Sequence, residues 1–588
     1  MRDVYYEEEL RYLKEEGARF ARKHPQRARH LNLETGKDRD PKMEALFEGF
    51  AFLCAGIRER VDEALPFLAS GLTGLLWPQL LHPVAPLCIM EFRPRAGMLQ
   101  GGHNIKKGTV IFTDTDPGTG VSCQFATTQD VCVNPIAISK VEVTTNAGGK
   151  DVLTLSFKIE QGVKQDILLL SPVKIFINDD LPTALLIRKM LLCHVEEVIL
   201  KNDCGQSKKL IVGDTFIEGG FGENEDLFPE SQNVSRPLSL LRDYFVYPEK
   251  FLFVDIYGLD SFLLNDTSVS DLSLEIRFDR KLSGKIFLTK EIFKLHCAPA
   301  INVFRRDAEP ILVDGRKSEY EVVSDAVRPE CYAIHSVESV IGIDRVTGER
   351  REYERYCQVG SDDRNGGDRF YSVRTACHSE TNHQLDDGRR VMLSMNGRQT
   401  EDGWLKQETL HVGTWQTNGA FAWKILTEGG LLYKAKPDFP DFVTFTNLTI
   451  PSRSVNPPQN DKYLWTFLSH MSATHLSFSD AERLKDFLRA YDWTMFGDKR
   501  PEVESIQSVS IKPCDMAVDR AVMRGSEMII TVDNVGVPEE NIFLLGAVLA
   551  RSLSGMASIN TFLKLVVTIP ASGKNFVWHC RGGERWGM

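Results

Sequence analysis

From Ala64 to Met90 the chain carries no charged side chain except the titratable His82, and the run is bracketed by Glu63 and Glu91. Length alone would let it cross a bilayer, which takes about 20 continuous helical residues. Its prolines forbid that. Pro66 suits a helix start, but Pro78, Pro83 and Pro86 each remove a backbone donor and clash with the preceding turn. Helix is therefore expected only from Pro66 to Leu76, about 17 Å at 1.5 Å per residue. A proline-bent extended run and a strand at "LCIMEF" should follow. A bilayer interior demands backbone whose hydrogen bonds are met internally. The run thus reads as a connector buried in protein, with Leu75, Leu76, Leu80 and Leu81 wedged at the joint.

The hydrophobic period differs on the two sides of this connector. Before it, Tyr6, Leu10, Leu13, Gly17 and Phe20 line one face of a helix. A second helix is expected in "DRDPKMEALFEGFAFLCAGIRERVDE", with Asp40 as cap and Pro41 in the first turn. Its stripe, Met43, Leu46, Phe47, Phe50, Leu53, Cys54, Ile57 and Val61, is wide and aromatic. Three such helices cannot bury this much apolar surface among themselves, so they must dock on the rest of the chain or on another subunit.

After Leu87 the period becomes two. "LTLSFKIE" places Leu153, Leu155, Phe157 and Ile159 on one face, and "DLSLEIRFD" does the same with Leu272, Leu274, Ile276 and Phe278. Turn signals such as "DTDPGTG" and "NAGGK" separate the runs, which predicts antiparallel sheet. Beyond the proline-rich "IPSRSVNPPQND" the helical period returns. A capping box is expected at Ser479 and Glu482, with Leu484, Phe487, Leu488 and Tyr491 buried. Strands at "VESIQSVSIK" and "SEMIITVD" then precede a helix at "PEENIFLLGAVLARSLSG". The expected fold class is α+β and multidomain: an N-terminal helical segment at 1–86, an antiparallel β-rich domain at 87–297, a second β-rich domain with long loops at 298–450, and a linker with a C-terminal α+β domain at 451–588.

Charge and cysteine usage narrow the function. The net charge of -11 is spread along 588 residues with no basic block, which argues against a nucleic-acid partner. Twelve scattered cysteines without a C-x-x-C pair fit reduced thiols, and the charged start "MRDVYYEEELRYLKEEG" lacks the apolar core of a signal peptide. A cytoplasmic protein is expected.

Motifs that would carry catalysis or a cofactor fail on inspection. "TIPASGKN" lacks the first glycine of a phosphate loop, and "GGFGEN" lacks the second half of a dinucleotide fingerprint. "CHSETNH" offers Cys377, His378 and His383, one short of the four ligands of structural zinc. Asp114 and Asp116 fit a hairpin turn better than a calcium loop, and His470 and His475 fit hydrogen-bonded structural roles. The neighbouring acids Asp179-Asp180 and Glu196-Glu197 lack the separation that glycoside chemistry needs, and no serine nucleophile elbow is present. No metal and no cofactor is expected.

Several long segments, taken in order, resemble one family. They are "YYEEELRYLKEEGARFARKHP", "DPKMEALFEGFAFLCAGIRERVDEALPFL", "LLWPQLLHPVAP", "CQFATTQDV", "FGENEDLFPESQNVSRPLSLLRDYFVYPEKFLFVDIYGLD", "HCAPAINVFRRDAEPILVDGRKSEYEVVSD", "LWTFLSHMSATHLSF" and "FLLGAVLARSLSGMASINTFLKLVV". Together they are similar to the TssF (VasA, ImpG) family of type VI secretion baseplate subunits. The match weakens between Cys357 and Pro440, and Trp578 is followed by His579, Cys580 and Arg581 where the family has a Trp-Pro-Pro-Arg-like tail.

The resemblance implies a non-enzymatic wedge subunit, in a baseplate docked at the inner membrane, on which tube and sheath assemble. Its implied partners are a second TssF copy, TssG, TssK, TssE, the VgrG spike and hub, and sheath components, with no nucleic acid and no membrane insertion. Tyr6, Leu10, Leu13, Phe47, Phe50 and Leu53 are the expected subunit contacts. The alternatives are a β-rich carbohydrate-active enzyme and a membrane-embedded component.

Overall fold

The structure, a computed structural model, describes residues 2–23, 41–146, 148–160, 162–163, 167–203, 205–228, 236–262, 269–282, 287–314, 317–355, 369–377, 389–397, 408–426, 434–435, 442–458, 461–493, 500–518 and 521–582. The principal helices are α1 (Arg2–Lys23), α2 (Pro41–Leu76), α3 (Leu181–Cys193), α4 (Arg236–Val246), α5 (Asp461–Ser472), α6 (Ala481–Tyr491) and α7 (Glu539–Gly555). Two compact units emerge, one of Met1–Leu76 with Gln459–Met471 and one of Trp77–Pro458 with Ser472–Met588. The multidomain α+β class expected from the period changes is present, with helices first and sheets beyond Leu87.

The helical unit corrects one expectation. The two helices foreseen on either side of Pro66 are a single helix, α2, of 36 residues or about 54 Å. An internal proline forgoes one hydrogen bond at a cost of about 3 kcal/mol, which the turns on both sides tolerate when neighbours hold the helix. The helix nevertheless stops at Leu76, before Pro78. Among the described residues no helix is long and apolar enough to cross a membrane. Asp40, the expected cap, lies outside the described residues.

The connector beyond α2 behaves as its prolines require. Trp77 is 1% exposed and leads into a single 3-10 turn, Pro78–Leu81, after which Val84 bridges Val455. Leu80 is buried and Leu81 half-buried, but Leu76, the last residue of α2, is exposed, contrary to expectation, on the same side as exposed Leu72 one turn earlier. The side chain of Leu75 lies outside those described.

The strand "LCIMEF" becomes Leu87–Pro94, the strand next to one edge of a six-stranded sheet. Its neighbours are Cys297–Ile301 and Val443–Asn447, so this sheet draws on chain from both sides of 297. Cys88, Met90, Phe92, Phe125 and Phe445 fill its core. In a five-stranded sheet, Leu272, Leu274 and Ile276 stand opposite Phe157, Leu155 and Leu153 in antiparallel register. The period-two faces read from the sequence therefore meet each other.

Residues 304–417 build an eight-stranded sheet that closes on itself. Strand Phe304–Asp307 lies at one edge and Tyr320–Glu321 at the other. An antiparallel bridge between Ala308 and Ser324, flanked by Glu309 N–H donating to the Val323 carbonyl at 2.9 Å, joins the two. Closure removes the unpaired edges that invite aggregation. Inside, Tyr353 donates to buried Glu408 at 2.8 Å, in space that exists because a Cβ on Gly342 would sit 2.5 Å from that carboxylate.

The C-terminal sheet runs Ile506–Val518, Ala521–Val532, Phe562–Ile569, Lys574–Gly582. The middle pair is parallel, with α7 as the crossover. Gly546 lets α7 approach the sheet, since a Cβ there would lie 2.2 Å from the Trp578 ring. The expected capping box at Ser479 and Glu482 is absent. Asp480 occupies the N-cap of α6 without a side-chain cap bond, and a capping box forms instead on the preceding 3-10 turn His475–Phe478, between Thr474 and Ser477. The buried face of α6, Leu484, Phe487, Leu488 and Tyr491, is as expected.

Candidate assembly surface

The helical unit places its small and large apolar residues on opposite sides of α2. Ala51 and Ala55 are fully buried, and α1 is the helix that packs on α2. Small side chains four apart let two helices approach closely. Polar links tighten the pair: Arg58 of α2 bonds Glu9 of α1 at 2.8 Å, reaches Glu8 at 3.5 Å and lies over the Tyr5 ring. These are exposed contacts, so each contributes little to stability on its own.

On the far side of α2, Leu46, Phe50, Leu53 and Ile57 are all exposed, at 52%, 55%, 64% and 64%. Their 4-3-4 spacing keeps them within one narrow stripe, the seam along which one helix accepts another. A contiguous apolar seam left in water marks a protein contact more often than solvent-facing surface.

The structure divides the six expected contact residues. Phe50 and Leu53 stand exposed in the seam, whereas Tyr6, Leu10, Leu13 and Phe47 are half-buried. Leu46 and Ile57 complete the seam and were missing from the expected set, although both were in the stripe read from the sequence. The signal that would have found them was the 4-3-4 spacing, which separates the seam from the side facing α1.

The rejected chemical candidates have structural partners. Asp180 caps α3 through the Thr183 amide, and Glu197 pairs with Lys209 at 2.9 Å. Asp116 accepts from the Thr119 amide and hydroxyl at 2.7 Å, bonds that hold its carboxyl below the usual range. His475 contacts Ser526 at 3.3 Å, and burial lowers the pKa of His470 to about 4. Cys377, His378 and His383 lie outside the residues whose side chains are described. Among the described residues no group of three or more metal-binding side chains converges. Gly219 and Gly220 of "GGFGEN" serve close packing, since Cβ atoms there would fall 2.7 Å from Phe253 and 2.4 Å from the Lys250 carbonyl.

A cavity of about 320 Å³ is lined by Asn104, Asp130, Cys132, Asn134, Lys174 and His296, among others. Burial pushes Asp130 up, but bonds from the Lys107 amide and Lys106 prevail and hold it low. A carboxylate so held is unsuited to general-acid work at neutral pH.

Residues 3–585 match the family described as type VI secretion system, TssF. The chain belongs to the TssF family. It is 24% identical to the type VI secretion system component TssF1 of Pseudomonas aeruginosa, over 99% of this chain and 98% of that relative. Its fold is similar to a chain in the TssK-TssF-TssG baseplate subcomplex, with a TM-score of 0.75, 26% identity, and coverage of 91% of this chain and 98% of that one. A chain in the baseplate complex from the type VI secretion system matches at a TM-score of 0.56 and 23% identity, with both chains fully covered, which supports the fold. A TssF protein is a structural component of the baseplate, and that role is this chain's function. The carbohydrate-active alternative finds no support.

Proposed function

We propose that this TssF subunit builds its baseplate wedge through the seam of α2, with TssG as the partner seated there. The observation that carries the reading is the row Leu46, Phe50, Leu53 and Ile57, exposed opposite the face on which Ala51 and Ala55 are buried. A subunit named with TssG and TssK in the similar solved assembly needs such a face for a stable joint. A second copy of this chain, TssK, TssE, the VgrG spike and the sheath complete the proposed set of contacts, in a baseplate docked at the inner membrane. The role is non-enzymatic assembly, and the half-buried Tyr6, Leu10, Leu13 and Phe47 support the seam from within the helical unit.

The test is co-purification with TssG. Because Phe50 and Leu53 are exposed, Phe50→Asp with Leu53→Asp should leave the isolated chain folded, with unchanged circular dichroism, while TssG is lost from the purified complex. A folded double variant that still retains TssG at native stoichiometry would sink the assignment.

A further inference from the structure

His82 of the connector and His335 of the closed barrel pack ring to ring, with centroids 5.2 Å apart. The contact lies where the connector meets strand Ala333–Asp344. The Nδ1 of His335 lies 3.4 Å from the Ser336 hydroxyl. Arg389 spans the backbones that carry the two rings: its guanidinium donates to the Ile334 carbonyl at 3.2 Å and to the Leu81 carbonyl at 3.4 Å. On the other flank, Arg242 of α4 donates to Gln79 at 2.8 Å. Three attachments, the ring contact on His82, Arg389 on Leu81 and Arg242 on Gln79, therefore hold residues 79–82.

The charged groups acting on this contact share one sign. His82 feels His335, Arg389, Arg355 and Arg242, and His335 feels Arg389 and Arg242. The nearby carboxylate of Asp243 is engaged by Lys250 at 2.6 Å and lies 3.5 Å from Arg242. Burial first, and then these cations, keep His82 neutral well below its ordinary range and bring His335 down to about 3. The rings can pack as neutral imidazoles, but adding a proton to either one puts a cation between arginines.

We propose that the His82–His335 contact is an acid-released latch: it holds the connector on the barrel while both rings are neutral, and lets residues 79–84 detach when they take up protons. The sign follows from linkage. The closed latch excludes protons and the open one binds them at the ordinary histidine pKa of about 6.5, so opening becomes easier as pH falls through that value. Each histidine then favours the open form about tenfold at pH 5.5.

Hydrogen–deuterium exchange on the full chain tests this, with rates corrected for the intrinsic pH dependence of amide exchange. Between pH 7.5 and 5.5, protection at the amides of Gln79, Leu80, Leu81, His82 and Val84 should fall at least tenfold in the native protein. The loss should shrink in His335→Gln and in His82→Gln taken singly, and should be less than twofold when both are combined. Unchanged protection of this segment in the native protein at pH 5.5 overturns the latch. An equal fall in the double variant overturns it too, as does a loss spread evenly over the barrel and the C-terminal sheet. The native measurement decides the matter even where the double variant fails to fold.

Discussion

Asp243 and Lys250 form an ion pair at 2.6 Å in which neither residue is more than 1% exposed. The pair joins α4 to the turn Pro248–Phe251, beside the connector residue Gln79 that Arg242 holds. A buried pair of this kind adds little net stability over a well-packed apolar equivalent, but removing one member leaves the other charge stranded. Lys250→Met should therefore destabilise the protein by about 3–5 kcal/mol, and Asp243→Asn added to it should restore at least half of that. Urea unfolding of the two variants checks the order; a single variant as stable as the double would show that the stranded carboxylate finds another partner.

The two sides of α2 should respond oppositely to substitution. Ala55→Leu forces a large side chain into the fully buried side and should cost about 1–3 kcal/mol of helical stability. Leu53→Ala, on the exposed side, should change stability by less than about 0.5 kcal/mol. Far-ultraviolet circular dichroism during urea unfolding separates them, and equal effects would mean that the exposed seam is covered within the chain itself.

Asp255 offers a pH signature distinct from that of the histidine latch. Burial raises its pKa to about 6, with nearby Glu225 adding to the rise and Lys174 opposing it. A carboxyl whose folded pKa exceeds its unfolded value lends stability at low pH that is lost as pH rises from about 4 to about 6. Above pH 6 its charge is a cost, so Asp255→Asn should stabilise the protein by about 1–2 kcal/mol at pH 7.5 and by almost nothing at pH 4. Calorimetry at the two pH values reads the difference; a constant increment would place the gain in packing and not in charge.

Much of this architecture was legible because it depends on local periodicity. The alternation in "LTLSFKIE" and "DLSLEIRFD" set which faces would be buried, and those faces pair in register. Proline spacing likewise set the end of α2 at Leu76 and the bent connector after it. Pro66 misled, because the penalty for a proline inside a helix is finite and depends on what holds the flanking turns.

The division of labour between chain and fold is clearest in α2. Amino-acid order alone determined that this helix would be apolar over most of its girth, and the order of its segments determined the family. Which apolar side would face α1, and which would stay in water, was decided by packing: Ala51 and Ala55 are small enough to let a second helix close in, so the bulky row from Leu46 to Ile57 is left exposed. Contacts made across long stretches of chain were also beyond reach of local pattern. The closure of the barrel by Ala308 and Ser324 and the meeting of His82 with His335 each depend on where distant strands are carried, which no window of sequence encodes.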